Sequence, residues 1–212
     1  MPRNETCYHE SGGMLSRRSG MLVRKYGWLV FGFLALTISS ACSTGAEKGS
    51  APAEGSVAPD FELATLSGEK IRLTQLLKQG PVVLAVLRGY PGYQCPACNT
   101  QTKQLLGSAK KFASAKATVV LVYPGAARDL SRHAGEFARG KTLPDNFHLA
   151  LDPDFELTLA YRLRWDAANE TAYPATFLID SDGKVRFSKV STTHGGRAAA
   201  DEVLAALGKL SK

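Results

Sequence analysis

The run Pro81-Val-Val-Leu-Ala-Val-Leu87 is apolar at every position. A strand with one face in water alternates apolar and polar residues; a strand without a polar face must be covered on both sides, which places it inside a sheet layered with helices. Ala117-Thr-Val-Val-Leu-Val-Tyr123 repeats the pattern with Thr118 as its polar residue. Two such strands with a helical stretch between them restrict the chain to a layered α/β architecture with crossover connections. At 212 residues, 44% hydrophobic and 21% charged, the chain has apolar material for one core of this kind and some chain to spare.

Between the two strands lies Arg88-Gly-Tyr-Pro-Gly-Tyr-Gln-Cys-Pro-Ala-Cys-Asn-Thr100, which sets Cys95 and Cys98 in a C-x-x-C spacing. Pro96 suits the first turn of a helix, and Leu105, Leu106, Ala109 and Phe112 follow at helical spacing. Cys95 therefore stands at a helix N-terminus, where unpaired backbone N–H groups and the helix dipole favour a thiolate. Cys98, one turn on, lies on the same side and can close a disulfide with it. A zinc site would need two further ligands, and the chain has no second C-x-x-C and no paired histidines at zinc spacing. A bridge closing so short a loop would add little stability, so the pair is expected to be redox-active.

The front of the chain has another character. Residues 1–20 are polar and patternless, and Met14 and Met21 can each serve as an initiator, so no function is assigned to this segment or to its Cys7 and His9. From Met21 a basic stretch (Arg24, Lys25) leads into the apolar run Trp28 to Ile38 and then Ser39-Ser40-Ala41-Cys42. That is the pattern of an export signal over 21–41, too short for a comfortable membrane span of roughly 20 apolar residues. The small residues ending in Cys42 resemble the lipobox of bacterial lipoproteins, with Ser39 where an aliphatic residue is usual. This implies lipidation at Cys42, a membrane anchor and an extracytoplasmic location. Residues 42–56, rich in Gly, Ala, Ser and Pro, are expected to be a flexible tether, and 57–212 the folded domain. Without residues 1–41 the balance is 21 basic against 17 acidic side chains, spread along the chain, which is no footprint for nucleic acid. With Cys7 removed and Cys42 acylated, only Cys95 and Cys98 remain as free thiols.

Within the domain, Val57–Leu63, a Ser67-Gly68 turn and Lys70–Leu73 suggest a short hairpin, and Thr74–Lys78 a turn of helix. Helices are expected over 126–141, 154–163 and 197–210, and a strand over 147–151. Tyr-Pro-Ala-Thr-Phe-Leu-Ile-Asp180, the Asp182-Gly183 turn and Lys184–Val190 form a second hairpin.

This order of elements, the C-x-x-C, and the opening Val57-Ala-Pro-Asp-Phe61 resemble the thioredoxin superfamily, in its redoxin branch of peroxiredoxins and membrane-tethered thioredoxins. The resemblance covers residue 57 to the end. It implies a thioredoxin-like α/β fold, a central mixed sheet flanked by helices with an N-terminal β-hairpin extension. It also implies a thiol-dependent oxidoreductase in which Cys95 attacks and Cys98 resolves. Pro174 would be the cis-proline beside the pair, with Tyr173 and Thr176 lining a substrate groove. In the peroxiredoxin alignment, Pro-x₃-Thr/Ser-x₂-Cys falls on Pro91, Cys95 and Cys98, which makes Cys98 the peroxide-attacking residue. The arginine that peroxiredoxins bring to the thiolate falls on Pro174. Disulfide exchange is therefore favoured over peroxide reduction, with protein or small-molecule disulfides as substrates and an unidentified electron donor.

Departures from the resemblance bear on proton transfer. Gln94 stands where thioredoxins carry Trp, Gln101 where an acid is frequent, and no buried acid occurs in Pro81–Leu87. Arg88 can support a thiolate by its charge or pair with a surface acid. His194 can shuttle a proton or contact substrate. Tyr90 and Tyr93 are expected to pack rather than react, and Trp165 and Glu170 to shape the groove. Copper chaperones of this fold use C-x₃-C and a histidine near Tyr173, which does not match. No nucleotide, flavin or metal motif is present, so no cofactor is expected.

Overall fold

A computed structural model describes residues 50–210. The expected signal segment, Cys42, Cys7 and His9 lie outside the described residues. Five strands form one sheet in the order β5-β4-β3-β6-β7: β3 (Val82–Val86) at the centre, β4 (Thr118–Gly125) and β5 (Phe147–Pro153) parallel to it on one side, and on the other β6 (Ala175–Ile179) antiparallel to it, followed by β7 (Val185–Val190) antiparallel to β6. A separate hairpin of β1 (Glu62–Ala64) and β2 (Lys70–Arg72) precedes it. The mixed sheet, its helices and the leading hairpin are the thioredoxin-like α/β fold expected.

The polar-free run of β3 is explained by its position. Val82, Leu84 and Val86 point into one core layer and Val83, Ala85 and Leu87 into the other, all wholly buried. The first layer is closed by the hairpin, by α1 (Leu73–Leu76) and by α5 (Glu156–Ala160) through Leu73, Leu76, Leu157 and Tyr161. The second is closed by α2 (Pro96–Gly107), α3 (Ala109–Ser114), α4 (Leu130–Ala138) and α6 (Ala200–Leu210), through Leu105, Phe112, Phe137 and Val203 among others. Cys95 and Cys98 belong to this second layer.

Helix ends depart from the expected spans for local reasons. The helix expected over 154–163 is confined to α5, because Asp154 and Phe155 take left-handed φ angles (52° and 66°) and Arg162 does so again at 56°. Asp152, fully buried on β5, accepts hydrogen bonds from Leu157 N (2.8 Å), Thr158 N (3.0 Å) and Thr158 Oγ1 (2.5 Å), which fixes the start of α5. A 3-10 turn at Ala127–Asp129 replaces the first part of the helix expected from 126, and α2 breaks before α3. The last helix starts at Ala200, with Glu202 accepting from Ala199 N (2.7 Å), so Arg197 lies in the preceding loop.

The expected tether also ends earlier. Residues 50–56 run along the outer side of β7: Gly55 N donates to Val185 O (2.7 Å), Val185 N to Ser56 O (2.9 Å) and Ser188 Oγ to Pro52 O (2.9 Å). Val57, placed in the hairpin by the sequence, bridges to Lys184 instead.

Candidate active site

The site is built where β3 hands over to α2. Gly89, at φ +70°, turns the chain away from the sheet, and the loop through Tyr90–Gln94 brings it to Cys95, the N-cap of α2. Cys95 Sγ accepts the backbone N–H of Cys98 (3.3 Å), so a sulfur does what an Asp or Ser side chain usually does at this position. Cys98 Sγ in turn accepts the backbone N–H of Arg88 (3.3 Å). Both are free thiols.

Two environments split the thiols. Cys95 is drawn down to about 5, chiefly because the Cys98 thiol donates to it, helped by the Cys98 N–H and by the charges of Arg197 and Arg88, with burial opposing. Burial pushes Cys98 well up, and its hydrogen bond to Cys95 adds to this. One member is thus a thiolate at neutral pH and the other a thiol.

The sulfurs are more enclosed than the sequence suggested, for Cys95 is 2% exposed and Cys98 1%. Arg197 covers them, its Nη2 lying 3.6 Å from Cys95 Sγ and 3.3 Å from Cys98 Sγ. Sequence reasoning missed this residue because helical periodicity assigned it to the last helix. The signal available was Gly195-Gly196, a break just before it, with Gly196 at φ +66°. Gln101, at the position where an acid is frequent, holds the guanidinium: its Oε1 accepts from Arg197 Nη1 (3.2 Å) and its Nε2 donates to Thr176 Oγ1 (3.1 Å) and Ala198 O (3.3 Å).

The remaining candidates separate into those at the pair and those beside it. Arg88 is not a surface ion pair; it is 2% exposed, with Nε on Glu170 Oε2 (2.6 Å), Nη1 on Tyr93 Oη (2.7 Å) and Nη2 on Asn169 O (2.8 Å). Burial alone would raise the Glu170 carboxyl, but hydrogen bonds from Arg88 and His194 hold it below the usual carboxylate range. His194 lies on the other Glu170 oxygen (2.8 Å) and beside the Trp165 ring, not on a sulfur. Trp165 stacks on Tyr173 with ring centres 4.6 Å apart. Pro174 is buried directly before β6 and its carbonyl accepts from Ser191 N (2.8 Å); Thr176 is buried on β6. Tyr90 packs as expected, stacked on His133 at 3.7 Å. Tyr93 does not pack in the core: it is half exposed and serves as the hydroxyl partner of Arg88. Gln94 ties the loop to α4 and β4, accepting from Tyr123 Oη (3.0 Å) and donating to His133 O (2.9 Å).

Fold and site together define a thiol-dependent oxidoreductase with a split-pKa cysteine pair on a thioredoxin-like scaffold. The AhpC/TSA family model matches residues 55–188, and the chain belongs to that family. Its relatives fall on both sides of the chemistry. It is 30% identical over 155 residues to a Mycobacterium tuberculosis protein provisionally named a peroxiredoxin, covering 72% of this chain and 94% of the relative. It is 31% identical over 152 residues to the thiol-disulfide oxidoreductase ResA of Bacillus subtilis, covering 72% and 74%. Among solved structures it is similar to peroxidoxin BcpB from Mycobacterium tuberculosis (24% identity, TM-score 0.58, 75% of this chain and 98% of that one). It is also similar to a Chlorobium tepidum protein provisionally described as the thiol:disulfide interchange protein DsbE (26% identity, TM-score 0.55, 74% and 99%).

Proposed function

We propose that this protein is an extracytoplasmic thiol–disulfide oxidoreductase that works through Cys95 and Cys98. The carrying observation is the pair itself: Cys95 at the N-cap and Cys98 one helical turn away, the first sulfur accepting the backbone N–H of Cys98 and the second that of Arg88, an arrangement that draws Cys95 down and leaves buried Cys98 pushed up. The Cys95 thiolate attacks a substrate disulfide, forming a mixed disulfide and releasing one substrate thiolate. Cys98 then gives up its proton and attacks Cys95 Sγ, closing the intramolecular disulfide and releasing the second substrate thiolate. Two electrons pass from the protein pair to the substrate, and a thiol donor must restore the pair.

Under this reading Pro174, Tyr173 and Thr176 border the substrate, and Arg88 acts mainly through its backbone N–H on Cys98. Replacing Cys95 by Ser is expected to abolish reduction of a protein disulfide. Hydrogen peroxide consumption that survived in Cys95→Ser and vanished in Cys98→Ser would overturn the assignment. One observation favours that second reading, peroxide reduction: the near-complete burial of both sulfurs admits a small oxidant more readily than a protein.

The location rests on the 21–41 signal pattern and on Cys42. Incorporation of labelled palmitate into the full chain, lost in Cys42→Ser, is the expected result; unlabelled, cytoplasmic full-length protein would refute it.

A further inference from the structure

Closing the disulfide requires a thiolate at Cys98, the more buried and less acidic of the two sulfurs. The groups facing it are few. Arg88 N–H donates to it from the end of β3, and Arg197 Nη2 from the loop before α6. The Tyr123 hydroxyl, from β4, is pushed up by burial and stays neutral, so it is no base. The Arg88 guanidinium is turned to Glu170, whose carboxylate is occupied by it and by His194; Glu136, near Gln94, is paired with Arg132. Among the described residues no carboxylate is hydrogen-bonded to either sulfur.

Building on the exchange reading, we propose that Arg197 activates Cys98 by charge rather than by taking its proton, one guanidinium serving the two sulfurs in turn from a position 3.6 Å and 3.3 Å away. Its place does not depend on the sulfurs, since Nη1 is bound to Gln101 and Nε to His194 O (3.1 Å). While Cys95 is the thiolate, the guanidinium neutralises a charge shared across the pair. Once Cys95 is tied up in the mixed disulfide it is neutral, and the guanidinium faces Cys98 alone. Cys98 then releases its proton to water, its sulfur attacks Cys95 Sγ, and the substrate thiolate leaves and is protonated from water. No carboxylate is needed because the cation makes the ion, not the base.

The reaction of the reduced protein with dithiobis(nitrobenzoate) separates the steps. The first nitrothiolate is released when Cys95 attacks, and the second when Cys98 displaces it from the mixed disulfide. In Arg197→Gln the second phase is expected to slow about tenfold at neutral pH, with its pH midpoint raised by about one unit. An unaltered second phase would overturn the proposal while leaving exchange intact. Release of a single nitrothiolate by the unmodified protein would remove the exchange reading and this inference together. A second measurement leaves Arg197 in place: in Cys95→Ser the competing thiolate is gone, so the Cys98 midpoint, followed by thiolate ultraviolet absorbance, is expected at or below the ordinary thiol value of about 8.5. A midpoint above that value would refute charge activation even if Arg197→Gln did not fold.

Discussion

At the scale of single residues, the site is a way of giving two identical side chains opposite acidities within one turn of helix. The consequence reaches stability. Between about 5, where Cys95 titrates in the native protein, and the ordinary thiol range, the folded protein carries a thiolate that the unfolded chain does not. Unfolding then takes up a proton, so stability rises with pH across that window and this contribution is lost as pH falls through about 5. Above the ordinary range the sign reverses, because buried Cys98 keeps a proton that the unfolded chain releases. Thermal midpoints of the reduced protein should therefore climb from pH 5 and turn over near about 8.5, and the Cys95→Ser, Cys98→Ser double variant should lack both limbs. A flat profile in the reduced protein would show that the acidities are not split. The cysteines, Arg88, His194 and Pro174 are all visible in the sequence, because spacing and chain order mark them. The partners are not: Arg88–Glu170 joins residues 82 positions apart and Arg197–Cys98 residues 99 apart, and no local pattern encodes such contacts.

At the scale of elements, strands were more legible than helices. β3 and β4 announce themselves because burial on both faces leaves no polar position in β3 and Thr118 only at the start of β4, a property a sequence displays directly. The ends of α4, α5 and α6 depend on Asp152 caps, left-handed residues and the diversion of Arg197, which apolar periodicity does not record. The most demanding joint is Gly89. It takes φ +70°, and a Cβ there would lie 2.0 Å from the carbonyl oxygen of Pro124 at the end of β4. Ala at this position must push β3 and β4 apart just where Arg88 N–H reaches Cys98. Gly89→Ala is expected to cost at least about 2 kcal/mol in urea unfolding and to raise the alkylation rate of Cys98. An unchanged unfolding midpoint would mean that the loop yields without strain.

At the scale of the whole molecule, the layered fold was foreseen in its mixed sheet and its leading hairpin, whereas the order of the strands in that sheet and the start of the domain were not. Composition alone made residues 42–56 a free spacer, since Gly, Ala, Ser and Pro carry no periodicity. The hydrogen bonds of residues 52–56 are backbone to backbone or use a backbone carbonyl, and side-chain identity cannot announce them. That segment occupies the outer rim of β7, where a sheet otherwise offers open amides and carbonyls to any passing strand. A protein trimmed to begin at residue 58 should therefore self-associate in light scattering, whereas one beginning at residue 50 should stay monodisperse. The stretch that leads toward the proposed anchor is then also the selvage of the sheet, guarding its last strand against sticking to other copies of itself.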